Sequence, residues 1–154
     1  MREYAAGAGT ELVLDVFALN GRLLAAGDAI AASEGLTSAR WQVMGAIALA
    51  GRALSVPQIA RRMGLTRQSV QASVNRLVDG AMLVAEPNAD HRRSPLFTLT
   101  DTGSAAYQRL TERQQEWITG LTRGLSAADL QASSQLLRTL SHRLTTTDQG
   151  DDPG

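Results

Sequence analysis

The sequence predicts a mainly α-helical fold with one small β-hairpin, and three observations support that prediction. Apolar residues recur at steps of three and four along most of the 154 residues. The pattern changes to short extended segments only between residues 82 and 99. Hydrophobic residues make up 44% of the chain but aromatic residues only 4%. The core of this single domain must therefore be built mostly from Ala and Leu, which favour helices.

The composition excludes several classes of chemistry. The chain has no cysteine and no lysine, so all fifteen basic residues are arginine. Disulfides, thiolate metal sites, cysteine nucleophiles, Walker A loops and Schiff-base lysines are therefore impossible. The two histidines, His91 and His142, are far apart in the sequence, and Asp90-His91 has no further ligand at metal-binding spacing. We expect no enzymatic activity, no catalytic residue, no metal and no cofactor.

No segment has the character of a membrane anchor or a signal peptide. The most apolar stretch, residues 12 to 32, is interrupted by Asp15, Arg22 and Asp28. Acidic Glu3 and Glu11 stand where a signal peptide needs positive charge. We therefore expect a soluble protein of the cytoplasm.

The N-terminal part of the chain predicts one long helix. Residues 1 to 10 lack periodicity and are expected to be frayed. A heptad-like apolar stripe then runs through residues 11 to 35, and Gly35 suits a left-handed C-cap. The stripe consists of Leu12, Val16, Leu19, Leu23, Gly27 and Ile30, and it is widened by Val13, Phe17 and Leu24.

Two shorter helices follow, each with its own start and stop signals. Thr37 is a suitable N-cap for the first of them, and Gly51 ends it. Ser55 and Gln58 have the spacing of a capping box at the start of the next, and Gly64 ends that helix.

Thr66 is the N-cap of a further helix that runs to about Asp79-Gly80. Its apolar face is formed by Val70, Val74, Leu77 and Val78. Residues 82 to 86 and 96 to 99 then predict two strands, joined by turn-forming residues 87 to 91.

The C-terminal part returns to helical periodicity at Thr100-Asp101. Gly124 interrupts it, and Ser126 with Asp129 forms another capping box at the start of the last helix. Residues 147 to 154 are polar and acidic, and we expect a disordered tail there.

Two helices joined by a tight turn and followed by a hairpin predict a winged helix-turn-helix, whose second helix is the recognition helix. On a helical wheel the apolar residues of this helix lie within about 80° of Val70. The opposite side holds Gln68, Ala72, Asn75 and Asp79, and Ser69, Gln71 and Arg76 flank it. Amides can bond adenine N6 and N7 together, and Arg can bond guanine O6 and N7. The alternative is an ordinary solvated face, but such faces favour Glu and Lys. The predicted DNA-binding residues are Thr66, Arg67, Gln68, Ser69, Gln71, Ala72, Asn75 and Arg76.

The charge distribution supports DNA binding. The net charge of the chain is zero, yet residues 52 to 93 hold seven arginines and three acidic residues, a net charge of +4. Positive charge is thus concentrated in the segment that is predicted to contact the DNA phosphates. Ser55, Arg61 and Arg62 are predicted to contact the DNA backbone.

The predicted hairpin tip carries four further candidate contacts. They are Asp90, His91, Arg92 and Arg93. An arginine at a wing tip can enter the minor groove, where narrow A·T-rich stretches concentrate negative potential. Asp90 could hold Arg92 by an ion pair; the alternative is a surface salt bridge of little energetic value.

The region from Leu36 to Gly103 resembles the MarR family (multiple antibiotic resistance regulators), and the flanking helices match as well. The wing pattern and its distance from the recognition helix are the more specific part of the resemblance. The matching pieces are Leu36-Thr37-x-x-x-Trp41, Ile59-Ala60-x-x-Met63-Gly64-Leu65-Thr66, Val74-x-x-Leu77, Asp90-x-Arg92 and Leu99-Thr100-x-x-Gly103.

The resemblance implies an obligate homodimer in which the terminal helices interleave. The dimerisation region would comprise residues 11–35 and 101–146, and the DNA-binding region residues 36–100. The first helix and the last two helices each carry a heptad-like apolar stripe. A monomer of this size could not easily cover all three stripes, although an intramolecular core takes part of them. The implied dimer contacts are Leu12, Val16, Leu19, Leu23, Trp117, Leu121, Leu130, Leu137, Leu140 and Leu144.

Members of the family also commonly bind small aromatic or anionic ligands that lower DNA affinity. The resemblance implies such a pocket near Phe17, Arg40, Trp41 and Met44, although Trp41 and Met44 also suit a simple core. The absence of cysteine excludes thiol oxidation as the signal.

The sequence therefore predicts a transcriptional regulator that binds a near-palindromic double-stranded operator as a homodimer. We expect repression, relieved by a small-molecule effector, and a nucleoid-associated location. The alternative function is a winged helix that docks a protein partner without reading DNA.

Overall fold

The computed structural model describes residues 2–147, in which it shows six α-helices and three short strands. The helices are α1 (Arg2–Ala31), α2 (Ser38–Ala50), α3 (Val56–Met63), α4 (Arg67–Asp79), α5 (Asp101–Leu121) and α6 (Ala127–Thr147). The strands are β1 (Leu54–Ser55), β2 (Leu83–Glu86) and β3 (Leu96–Leu99). The predicted mainly α-helical winged helix-turn-helix is confirmed.

The chain divides into two compact units, with the boundary inside α5 after Gln115. The first unit contains α1 to α4, the sheet and most of α5. The second contains the end of α5 and α6.

The core of the first unit is mostly aliphatic, as predicted, but six of its seventeen described residues are Val or Ile, so it is not built mostly from Ala and Leu. It joins the inner faces of α2, α3 and α4 to β1, β2, β3 and the start of α5. Its buried hydrophobic residues are Ala31, Leu36, Trp41, Val43, Met44, Ile47, Leu54, Val56, Ile59, Ala60, Val70, Val74, Leu77, Leu83, Phe97, Ala106 and Leu110.

The sheet has three antiparallel strands, with β3 between β1 and β2. Phe97 pairs with Leu54 on one side and with Ala85 on the other. The sequence did not predict β1, because a strand of two residues is too short to show a period. The wing is the hairpin formed by β2, β3 and the loop between them. β1 leads directly into α3, so the sheet connects the base of the wing to the helix-turn-helix.

The N-terminal helix is longer than expected. α1 begins at Arg2, so the prediction that residues 1 to 10 are frayed is wrong. Alanine at positions 5, 6 and 8 favours helix without any amphipathic stripe, because a stripe is needed to dock a helix rather than to form one. One 3-10 turn, Ala32–Glu34, follows α1, and the chain then turns at Gly35 with φ of 68°. This left-handed cap was predicted.

The last helix also extends past its expected end. α6 continues through Thr147, the first residue of the predicted tail. The remainder of the predicted disordered tail, residues 148 to 154, lies outside the described residues. The Ser126 hydroxyl accepts the backbone N–H of Asp129 at 3.0 Å, which is half of the predicted capping box.

A close contact joins the start of α5 to the start of β2. The Thr100 hydroxyl accepts the Gly103 N–H at 2.9 Å and donates to the Ala81 carbonyl at 2.7 Å. The Thr100 N–H donates to the Met82 carbonyl at 3.1 Å. A Cβ atom on Gly103 would overlap that carbonyl oxygen, so only glycine fits there.

An ion pair joins the 3-10 turn to α5. The Arg109 guanidinium donates from Nε and Nη2 to the two carboxylate oxygens of Glu34, at 2.8 and 2.7 Å. Hydrogen bonding and charge from this guanidinium hold the pKa of the Glu34 carboxyl below its usual value.

Candidate nucleic-acid interface

The turn between α3 and α4 is built by two residues that the sequence singled out. Gly64 ends α3 with φ of 63°, a conformation that glycine adopts without strain. The Thr66 hydroxyl then caps α4 by accepting the Ser69 N–H at 3.2 Å. The helix-turn-helix therefore rests on local interactions that the sequence predicts.

The inner face of α4 fixes the orientation of the helix. Val70, Val74 and Leu77 are buried in the core, as predicted. Val78 was placed on the same apolar face but is exposed over 38% of its surface, because it lies at the edge of that face. The orientation leaves the opposite side of α4 open.

All eight residues that the sequence proposed on α4 and its cap are exposed. Two of the hydroxyls have a structural task, because Thr66 Oγ1 donates to Ser69 Oγ at 3.1 Å. Two of the amides bond to each other: Gln71 Nε2 donates to Asn75 Oδ1 at 2.8 Å. Gln68 makes no side-chain hydrogen bond to another described residue.

The loop of the wing is organised by Asn88, which the sequence analysis did not single out. Its Nδ2 donates to the Ser94 carbonyl at 2.8 Å, and its Oδ1 accepts the Asp90 N–H at 3.2 Å. The Ser94 N–H closes the loop on the His91 carbonyl at 3.0 Å. Asparagine in a turn is the signal that could have identified this role.

The side chains at the tip of the wing all face solvent. Asp90, His91, Arg92 and Arg93 are exposed, so each is accessible to DNA. Within the described part of the chain Asp90 and Arg92 form no ion pair. The prediction of an ion pair is therefore wrong for the unbound chain. The backbone N–H of Asp90 is instead bound by the side chain of Asn88.

A cleft of about 340 Å³ lies between α4 and the wing. Arg67, Gln68 and Gln71 line it from α4, and Arg93 and Ser94 line it from the wing. The first residues of α3, Val56 and Pro57, and the wing residues Pro95 and Phe97 complete the wall. Two guanidinium groups from separate elements thus border one concave surface. Sequence reasoning proposed Arg67 and Arg93 but did not predict the cleft, because it depends on how the wing folds back.

The residues proposed for the DNA backbone divide into two groups. Arg61 and Arg62 are exposed in the last turn of α3, where they can reach phosphate. Ser55 is only 6% exposed. Its N–H donates to Gln58 Oε1 at 2.9 Å, and its backbone pairs with Leu96 in the sheet. Ser55 therefore holds the start of α3 and is a wrong assignment as a phosphate ligand.

The proposed effector pocket is not supported by the burial of its residues. Met44 is completely buried and Trp41 nearly so, both within the core of the first unit. Phe17 is 70% exposed on α1, and Arg40 donates from Nε to the Thr37 hydroxyl at 3.2 Å. The alternative of a simple core fits Trp41 and Met44 better.

The described residues form neither a membrane span nor a cluster of metal ligands. Among residues 2–147 no helix is both long and apolar enough to cross a lipid bilayer. In the same part of the chain no three His, Cys, Asp or Glu side chains come together as metal ligands would.

A capped helix with an exposed face of amides and arginines, next to a basic wing, defines a winged helix-turn-helix of the nucleic-acid-binding type. Residues 34–94 match the model of the MarR family. An uncharacterized protein of Mycobacterium tuberculosis is 45% identical over 127 residues, covering 82% of this chain and 87% of that protein.

Solved structures show the same fold. A mutant MarR from E. coli complexed with operator DNA has a TM-score of 0.75 at 19% identity, covering 84% of this chain and 93% of that one. The PcaV transcriptional regulator from Streptomyces coelicolor, in complex with its natural ligand, has a TM-score of 0.68 at 25% identity. That similarity covers 80% of this chain and 89% of PcaV.

The chain belongs to the MarR family. It is a DNA-binding transcriptional regulator and not an enzyme.

Proposed function

We propose that this regulator binds a near-palindromic operator as a homodimer, and that residues 36–100 form the DNA-binding region. The main support for this proposal is the exposed face of α4, which bears amides and arginines. The buried Val70, Val74 and Leu77 fix the orientation of this face. α4 would enter the major groove. Its proposed contacts are Thr66, Arg67, Gln68, Ser69, Gln71, Ala72, Asn75 and Arg76.

The cleft beside the wing would hold the sugar–phosphate backbone, and the tip of the wing would reach the minor groove. Arg67 and Arg93 border the cleft and Arg92 lies at the exposed tip. Arg61 and Arg62 would contact phosphate from α3. A mutant MarR from E. coli with the same fold was solved in complex with operator DNA, which supports DNA as the partner.

Dimerisation is supported by apolar side chains that a single chain leaves in water. We propose residues 11–35 and 101–146 as the dimerisation region. Exposed large apolar residues of α1 are Val13, Leu14, Val16, Phe17, Leu19, Leu23 and Leu24. From α5 onward the exposed ones are Ile118, Leu121, Leu125, Leu130, Leu136, Leu137 and Leu144. Faces of this extent indicate an interface between proteins.

We propose repression as the regulatory outcome, through occupation of promoter DNA in the nucleoid. A small aromatic or anionic effector would release the operator. The structure of PcaV in complex with its natural ligand supports the binding of an effector.

Selection of random duplexes by the purified protein at about 150 mM salt tests the proposal, because this salt concentration screens weak nonspecific contacts. We expect enrichment of a palindrome whose half-sites are one helical turn, about 34–36 Å, apart. If a folded dimer enriches no sequence, sequence-specific binding is wrong and a protein-docking winged helix becomes the better explanation.

A further inference from the structure

Two of the exposed amides on α4 are already joined in the absence of DNA. Gln71 Nε2 donates to Asn75 Oδ1 at 2.8 Å, one helical turn further along. We propose that the two side chains act as one recognition unit, in which Asn75 orients the Gln71 amide to bind the adenine of one A·T base pair in each half-site. This inference rests on the operator binding proposed above.

The hydrogen-bonding capacity of the pair fits adenine. A primary amide has two N–H donors and one carbonyl oxygen. After one N–H is given to Asn75, the Gln71 amide retains one donor and its oxygen. Adenine presents the complementary pattern in the major groove, because N7 accepts and the N6 amino group donates. The intramolecular bond therefore leaves free the two groups that an adenine contact requires.

The bond to Asn75 also reduces the cost of binding. An exposed glutamine side chain has several freely rotating bonds, and its freedom is lost when the amide meets a base. A side chain held in position before binding loses less freedom on contact. At this A·T pair Asn75 is therefore a positioning residue, and Gln71 is the residue that touches the base.

The location of Gln71 agrees with this role. Its side chain lines the cleft that Arg67 and Arg93 border. Guanidinium groups that hold phosphates there would fix the distance between α4 and the bases. Gln71 then reaches a base edge from a helix whose register is already set.

The competing explanation is that the pair merely stabilises α4. Amide pairs four residues apart on a helix surface do so weakly. The two explanations differ in base preference, since a purely structural pair would leave the preferred base at each position unchanged.

A double-mutant cycle on the selected operator separates the two. Affinities of wild type, Gln71→Ala, Asn75→Ala and the double variant are measured for the operator and for every single base-pair replacement. We expect both single variants to lose discrimination, by roughly tenfold, at the same A·T pair. The double variant should lose no more than Gln71→Ala alone. Replacing that adenine by 7-deazaadenine should weaken wild type but not Gln71→Ala.

Gln68→Ala is the matched control, because Gln68 is an exposed amide on the same helix with no side-chain hydrogen bond to another described residue. Gln68→Ala should reduce discrimination at a different base pair. When it is combined with Asn75→Ala, the fold-losses of affinity of the two single variants should multiply. The proposal is overturned if Gln71→Ala and Asn75→Ala affect different base pairs, if their effects multiply, or if base preference is unchanged. If no operator is enriched at all, the proposed function fails as well. An operator with independent effects overturns only the paired recognition.

Discussion

Thr66 and Gly64 stand two residues apart and separate α3 from α4. Their roles follow from their own chemistry: glycine tolerates the positive φ, and a threonine hydroxyl accepts a free N–H of the following helix. Such caps are predictable from sequence because they depend on nearby residues alone. The burial of Ser55 was not predictable, because it depends on pairing with Leu96, which is 41 positions further along the chain.

Replacing Arg92 by Ala should weaken DNA binding. The exposed guanidinium at the wing tip would no longer displace counterions from the DNA. The slope of log affinity against log salt should become shallower by roughly one for each wing that touches phosphate. Fluorescence anisotropy over a salt series measures this slope. Arg113→Ala, an exposed arginine of α5 outside the helix-turn-helix, is the control and should leave the slope unchanged. An unchanged slope in Arg92→Ala would show that the wing does not touch DNA.

Replacing Gly103 by Ala should destabilise the protein by about 1–3 kcal/mol or more. The new methyl group would overlap the Met82 carbonyl and push α5 away from the wing. Gly45→Ala in α2 is the control. Its Cβ would meet only the Tyr107 ring at 3.5 Å, so the variant should gain about 0.5–1 kcal/mol. Urea denaturation measures both, and equal stability of the two variants would contradict the packing argument.

At the scale of elements, most bounds follow from the sequence, whereas their mutual arrangement does not. The predicted strands over residues 82–86 and 96–99 correspond to Leu83–Glu86 and Leu96–Leu99. The start of α1 was missed because alanine-rich segments form helix without a periodic signal. The cleft between α4 and the wing, and the Glu34–Arg109 pair, join residues distant in sequence. No local pattern encodes such contacts.

The Glu34–Arg109 pair should make stability depend on pH. Because the pKa of Glu34 is lowered in the folded state, its contribution is fully present above the unfolded value of about 4.5. It is lost as the pH falls through the lowered folded pKa. Glu34→Gln should therefore be less stable than wild type at pH 7, and the difference should vanish under acid conditions.

Chemical denaturation of both proteins between pH 7 and about pH 3 follows this difference in the free energy of unfolding. Glu11→Gln, which removes an exposed glutamate of α1 with no ion pair in the described residues, should show no such convergence. A difference between wild type and Glu34→Gln that persists at low pH would mean that the carboxylate charge is not its source.

The exposed apolar side chains of α1 and α6 support the proposed dimer. Leu19→Asp would place a charge in the proposed interface, so we expect a monomer that keeps its helical content and loses operator affinity. Light scattering coupled to size-exclusion chromatography gives the mass. Leu49→Asp is the control, because Leu49 is 84% exposed on α2, outside the proposed interface, and the variant should remain dimeric. A dimeric Leu19→Asp would exclude this face of α1 as the interface.

The uneven distribution of charge explains how a chain with no net charge can bind DNA. Residues 52 to 93 carry a net charge of +4, balanced by acidic residues elsewhere. Six of the seven arginines of this segment are exposed on α3, α4 and the wing, and Arg52 is exposed in the loop after α2. Phosphate attraction is thus concentrated beside the amides that would distinguish bases.

In the proposed function, this chain recognises a DNA sequence through α4 while its arginines hold the sugar–phosphate backbone. Affinity for the selected operator and for a scrambled duplex of equal length, measured between about 50 and 200 mM salt, tests both parts. We predict that both affinities fall steeply with salt and that the operator is bound at least about a thousandfold more tightly. Equal affinity for the two duplexes, or affinities that do not change with salt, would contradict the account.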